Sequence, residues 1–231
     1  MASRFDSAKF FFSHFKGGTP IEATHAGSNG RILTKASDVS KPEDVKARID
    51  ATVEKCGPLD GAANVAGKRL CGGTWRFDGD DVPDASLAKM NDRIRPIETL
   101  PLSDLQEMLN MNVFGTFNCL QEKTKNSKRG GSIANCCSQQ VRHALGLMST
   151  YAASKNTVYG LSVAYEGGPK GIRVNLLCPC TMTEGDHLPS IKQRYAKPEE
   201  ITTSIAFLLG DESKFVTKQE CKKLLFDPAL C

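Results

Sequence analysis

Apolar positions along the chain fall into short runs separated by amphipathic stretches. Lys9–Ser13 is an apolar, aromatic run that reads as a strand. Arg31–Ala36 reads as another and is followed by Ser37-Asp38-Val39-Ser40. Pro42-Glu43 then opens a helix that runs to Lys55, with acidic residues in its first turn, where the helix dipole favours them. Leu59–Val65 reads as a buried strand ending in Ala66-Gly67. Lys68–Leu100 has no period and holds Gly72-Gly73, Asp78-Gly-Asp-Asp81, Pro83 and Pro96. It reads as a long surface loop with one short helix, and loops of that length are often functional.

The second half is more regular. Ser103–Lys123 reads as a long amphipathic helix, with Leu105, Met108, Leu109, Asn112, Val113, Thr116 and Leu120 near one stripe. Ser132–Cys137 reads as a strand. Residues 149–165 contain no proline, are rich in Ala, Ser, Leu and Val, and read as a helix. Arg173–Cys178 reads as a strand and Pro198–Leu209 as a late helix. Strands alternating with helices imply an α/β fold with a doubly wound, parallel sheet in three layers. The length of 231 residues suits one such domain, spanning 1–231.

Charge adds little to this picture. The formal net charge is +4, and the basic residues are scattered. The longest basic stretch, Lys123–Arg129, is interleaved with Asn, Ser and Thr and reads as a solvated helix end and loop, not a nucleic-acid surface. No apolar run approaches the ~20 residues of a membrane span, and Phe10-Phe-Phe is too short for a signal-peptide core. A cytoplasmic protein is expected. The chain has nine cysteines, with Cys136 and Cys137 adjacent and Cys178 and Cys180 one residue apart. None has the Cys-x-x-Cys spacing of a zinc site, so no metal is expected. Reduced, mostly buried thiols are the leading reading, and a redox-active pair is the minority one.

The chemistry concentrates in Tyr151-Ala-Ala-Ser-Lys155, with Ser138 thirteen positions before the tyrosine. Residues four apart on a helix share a face, so Tyr151 and Lys155 present a phenol and an ammonium to one point. An ammonium close to a phenol favours the phenolate, which suits a proton donor and acceptor. Gly131-Ser-Ile-Ala-Asn-Cys-Cys-Ser138 adds a strand that ends in a hydroxyl.

Upstream lie Asn64-Val-Ala-Gly67 and Met111-Asn112-Val-Phe-Gly115, and downstream Gly171-Ile-Arg-Val-Asn-Leu-Leu-Cys-Pro179. In this order and spacing, the set resembles the short-chain dehydrogenase/reductase family, over roughly Lys9 to Phe215. The resemblance implies a Rossmann-like fold and a nicotinamide cofactor that carries hydride to or from a carbonyl or alcohol carbon. It implies Tyr151 as general acid, Lys155 as the group that tunes Tyr151 and binds the nicotinamide ribose, and Ser138 as holder of the substrate oxygen. Asn112 would lie at a break in the long helix and pass protons to solvent. Taken singly, Ser138 could merely end a strand and Asn112 be a satisfied buried amide.

The cofactor side is implied in the same way. Asp38 resembles the acid that meets the adenine amino group, with Val39 beside the ring; a turn or helix cap ahead of Pro42 is the competing reading of Asp38. Asn64, Ala66 and Gly67 resemble the motif that steadies the sheet and lets the cofactor approach the backbone. Pro179, Thr181 and Thr183 fall near the carboxamide, although the family's usual threonine position is Glu184. No acid follows the strand at Lys9–Ser13, and Lys16 there leans the cofactor towards NADP(H) over NAD(H). The expected substrate is a small carbonyl compound or alcohol, in the style of secondary metabolism. The long helix and the Tyr151 helix would pack across a dyad in a homodimer or homotetramer, with Phe114, Phe117 and Tyr159 on that surface.

Two departures from the family stand out. Its first strand and the Thr-Gly-x-x-x-Gly-x-Gly turn have no counterpart, and no Gly-x-Gly occurs in the chain. The sheet is therefore expected to lack its first strand and helix, and cofactor binding to be weak. Strands Lys9–Ser13 and Leu59–Val65 would then either pair directly or leave the sheet split. At the other end, Cys221–Cys231 stands where the family's closing strand and its Asp-Gly-Gly belong. A truncated gene product or impaired paralogue acting as an interaction subunit, and a non-redox isomerase or cyclase on the same scaffold, are the alternatives to an active oxidoreductase.

Overall fold

A computed structural model describes residues 11–12, 33–69, 96–142, 144, 146–179 and 198–223. Its strands form two parallel sheets. β1 (Phe11–Phe12) pairs with β2 (Leu33–Thr34). The larger sheet has the order β3 (Leu59–Asn64), β4 (Ser127–Cys136), β5 (Arg173–Pro179) and β6 (Glu220–Lys223). Every adjacent pair in it is parallel.

Helices fill the crossovers. α1 (Pro42–Cys56) starts with proline in its first turn beside Glu43 and Asp44. It stops at Gly57, whose φ of 79° favours glycine and whose N–H reaches the Val53 carbonyl at 2.8 Å. α2 (Leu102–Met108) continues through a π-helical segment, Leu109–Phe114, into α3 (Gly115–Asn126). α4 (Ser149–Val163) and α5 (Pro198–Leu209) complete the set.

Side chains alternate across each strand, and the core follows. Ile133 of β4 and Val174 of β5 pack with Leu120 of α3, while Leu176 and Cys178 meet Val158 of α4. On the opposite face, Ala134 and Leu177 pack against Leu208, with Ile201 and Ile205 beside them on α5. The result is the three-layer, doubly wound α/β fold that the alternation of elements predicts. Each fully buried aliphatic side chain contributes about 1.5–3 kcal/mol of transfer free energy, and Ile133 and Leu176 are both wholly buried.

Three expectations are corrected, and one left open between two outcomes is decided. β3 is not a buried strand: Asp60 and Gly61 are exposed, and only Asn64 is buried. It lies at the margin of its sheet, with no strand on its outer side among the described residues. The sheet splits as one of the two outcomes expected for a missing first strand, because β1 pairs with β2 and not with β3. The closing strand is present: β6 pairs Glu220 with Leu176 and Cys221 with Leu177. Strand pairing uses backbone groups, so the loss of a family motif there did not remove it. Finally, β4 begins at Ser127, so the basic stretch enters the sheet at once instead of forming a loop.

Candidate active site

The site forms where β3, β4 and β5 end, with α4 and the π-helical segment alongside. Tyr151 is the third residue of α4 and half-buried; Lys155, one turn later, is buried. Lys155 Nζ donates to the Cys136 carbonyl at 3.0 Å and lies 5.7 Å from the centre of the Tyr151 ring. Cys137 Sγ donates to the Lys155 carbonyl at 3.3 Å, pinning this turn of α4 to the end of β4. Ser138 follows at once, in extended conformation and buried. Its Oγ accepts the Gln140 N–H at 3.2 Å, capping a short 3-10 turn over Gln139–Val141. That bond leaves the Ser138 hydroxyl proton able to donate.

Asn112 sits in the π-helical segment and is buried. π-Bulges accommodate an extra residue in a helix and often mark functional sites. Here the distortion sits where the Asn112 amide turns inward and is fully engaged. Its Oδ1 accepts the Lys68 N–H at 2.7 Å, and its Nδ2 donates to the Lys68 carbonyl at 2.9 Å. A third bond runs from Nδ2 to Ser154 Oγ at 2.9 Å, and Ser154 in turn donates to the Tyr151 carbonyl at 2.7 Å. A side-chain ion pair between Lys68 and Glu107 anchors the same strand end to α2.

Gly67 closes the arrangement. A Cβ placed there would lie 3.3 Å from Asn112 Oδ1 and 3.3 Å from Lys155 Nζ. Both Ala66 and Gly67 are exposed, so the bare backbone keeps open the space beside the lysine. Asn64, Gly67, Asn112, Ser138, Tyr151 and Lys155 thus gather around the ends of adjacent elements.

Asn64 lies deeper, as a strut. Its Nδ2 donates to Asn135 Oδ1 at 2.8 Å, and Asn135 donates to Ser162 at 2.8 Å. Its Oδ1 accepts from Lys123, which also donates to the Ala63 carbonyl at 3.0 Å. Burial pushes the Lys123 ammonium down to about 8. Burial also pushes the Cys136 thiol up, against the pull of the Lys155 charge.

The adenine end is arranged differently. The Asp38 carboxylate accepts the Ser40 N–H at 3.0 Å and the Ser40 hydroxyl at 2.7 Å, forming a turn ahead of α1. Val39 is buried among Val45, Ile49, Met111 and Cys119, and its carbonyl accepts from Asn118 at 3.1 Å. Pro179 ends β5 half-buried. Thr181, Thr183 and Lys16 lie outside the described residues, as does most of the long loop, 70–95. Ser154, inside the Tyr-Lys motif, is a further residue of the site. Its position three residues after Tyr151, one helical turn on, was the available signal. Nothing in sequence pointed to Lys68, which acts through its backbone.

The nicotinamide end therefore fits a dinucleotide: a glycine cradle lies beside a buried lysine that keeps further N–H groups to donate. A family model for short chain dehydrogenase matches residues 16–195. The chain belongs to the short-chain dehydrogenase/reductase family.

It is 32% identical over 216 residues to the short chain dehydrogenase/reductase astE of Aspergillus oryzae, a match that covers 84% of this chain and 74% of that one. It is 30% identical to a D-threitol dehydrogenase of Mycolicibacterium smegmatis, covering 87% of this chain and 75% of the other. Among solved structures, a short-chain dehydrogenase/reductase from Serratia marcescens superposes with a TM-score of 0.66 at 27% identity, over 84% of this chain and 77% of that one. Membership makes the protein an oxidoreductase of the carbonyl/alcohol class that works with a nicotinamide cofactor on small molecules. Among the described residues, no helix is long and apolar enough to cross a membrane.

Proposed function

We propose that the protein interconverts a carbonyl and a secondary alcohol with NADP(H), using Tyr151 as general acid and base. The observation that carries this reading is the convergence of Gly67, Asn112 and Lys155 in the turn of α4 that follows Tyr151. When bound, the nicotinamide supplies or accepts the hydride. Lys155 Nζ, held by the Cys136 carbonyl, keeps two N–H groups for the ribose hydroxyls. Ser138 donates its hydroxyl to the substrate oxygen and fixes it before Tyr151. Tyr151 gives its proton to that oxygen as charge develops. Asn112 fixes the wall of the site through Lys68 and holds the Tyr151 turn through Ser154.

The preference for NADP(H) rests on Lys16 and the absence of an acid after the strand at Lys9–Ser13. Weak binding is the expected regime, since the chain has no Gly-x-Gly turn to cradle the pyrophosphate. The assembly is a homodimer or homotetramer: Phe114 and Phe117 stand 53% and 47% exposed on the long helix, one turn apart. The six described cysteines are all thiols, which suits a reducing, cytoplasmic setting.

The test is Tyr151→Phe, assayed by NADPH consumption against a panel of ketones and aldehydes. Loss of the acid should cost at least ~100-fold in turnover, with thermal stability and NADPH affinity little changed. Equal turnover in the two proteins would remove Tyr151 from the mechanism.

A further inference from the structure

Two thiols lie under the active site that the proposed mechanism does not use. Cys137 follows the last residue of β4, and its N–H donates to the Leu177 carbonyl at 2.7 Å. Register pairs Cys136 with Leu177, so the next step along the two strands sets Cys137 beside Cys178. Both side chains are buried in one cluster against Val158 of α4. Neighbouring parallel strands run about 4.8 Å apart, inside the Cα separation of about 4.4–6.8 Å that a disulfide spans. The two thiols are close enough to perturb each other's ionisation in opposite directions. Cys137 directly precedes Ser138, and Cys178 directly precedes Pro179.

The two thiols are also electrostatically unequal. The neighbouring Cys178, the Ser138 backbone and the Lys155 charge hold the Cys137 thiol below the ordinary range, against burial. Cys178 is pushed up by its bond to Cys137, by burial and by Glu220. Glu220 itself is held by Arg142, at 3.1 Å, on the turn after Ser138. One sulfur of the pair is thus disposed to attack and the other to remain a thiol until it is needed.

We propose that Cys137 and Cys178 are a peroxide-oxidised modification site whose disulfide locks the backbone on which Ser138 sits. In the first step, the Cys137 sulfur attacks hydrogen peroxide. An S–O bond forms, the O–O bond breaks, and one water leaves. Cys178 sulfur then attacks the sulfenic sulfur; the S–S bond forms, the S–O bond breaks, and a second water leaves. Two thiols lose two electrons and two protons, and one peroxide becomes two waters. Both sulfurs are buried, so peroxide reaches them through local opening at the ends of β4 and β5. The consequence for catalysis rests on Ser138 holding the substrate oxygen, but formation of the bond does not.

The experiment treats the whole purified chain with hydrogen peroxide, alkylates remaining thiols, and maps non-reduced peptides by mass spectrometry. The expected product is a peptide pair joined through Cys137 and Cys178, two hydrogens lighter than its reduced parts and separated by dithiothreitol. Cys136→Ser should retain the link, which assigns it to Cys137 and not to its neighbour. Cys178→Ser should lose it and leave Cys137 to oxidise further, to the sulfinic acid. Recovery of Cys137 and Cys178 as free, alkylated thiols after the treatment would overturn the proposal, as would a link from Cys178 to Cys136. None of these readouts uses substrate or cofactor, so they stand apart from the Tyr151→Phe test.

Discussion

At the scale of single residues, the site depends on a close fit at Gly67. Gly67 has room for a hydrogen and little more, because a Cβ would press at 3.3 Å on both Asn112 Oδ1 and Lys155 Nζ. Gly67→Ala should therefore weaken NADPH binding several-fold by displacing the lysine, with only a small loss of stability, since the residue is exposed. Lys155→Ala should weaken both NADPH binding and turnover, because that side chain serves the cofactor and supports Tyr151. Fluorescence titration with NADPH checks both variants; unchanged affinity in both would detach Gly67 and Lys155 from the cofactor. The shared face of Tyr151 and Lys155 was legible in the sequence, because their four-residue spacing places two groups on one side of a helix by geometry alone. Asp38 left two readings open, adenine contact and local turn. Its Oδ1 forms the turn with the Ser40 N–H and hydroxyl two residues on, and the turn uses that one oxygen. A sequence window cannot rank a local partner against a distant ligand.

At the scale of elements, helices α1 and α5 follow their sequence boundaries closely, because proline, acidic first turns and glycine stops act locally, and α4 follows its proline-free run. β3 and β6 were misread because burial and pairing are decided by what lies alongside in space. Buried polar groups between elements are the other feature a sequence hides. Lys123 of α3 carries a cation into the core, held by Asn64 and the Ala63 carbonyl. Its proton is held less tightly in the folded chain, at about 8, than in the unfolded chain at 10.5. Between those values the unfolded state binds more protons, so this group's contribution to stability rises with pH across the interval and is flat below it. The full rise is on the order of 3 kcal/mol. Denaturant unfolding at pH 7.5 and pH 10 should show that Lys123→Met removes this rise from the pH profile. A profile identical to that of the unsubstituted chain would mean that Lys123 does not titrate in this window.

At the scale of the whole molecule, the fold class was legible because strand–helix alternation admits few arrangements. The split of the strands into two sheets was one of two outcomes that sequence reasoning left open, since it turns on which edges find partners. Phe114 and Phe117 mark a surface that a partner copy would cover. Light scattering at micromolar concentration should give a dimer or tetramer, and Phe117→Glu should shift it towards monomer. A monomer in the unsubstituted chain would refute the assembly.

The central claim is that this chain transfers hydride and does not merely move protons on a borrowed scaffold. NADPH deuterated at the transferring position, incubated with the chain and a panel of carbonyl compounds, tests it directly by mass spectrometry of the products. The account predicts an alcohol carrying deuterium at the former carbonyl carbon. Conversion of a substrate with no deuterium in the product would contradict it and point instead to an isomerase or cyclase.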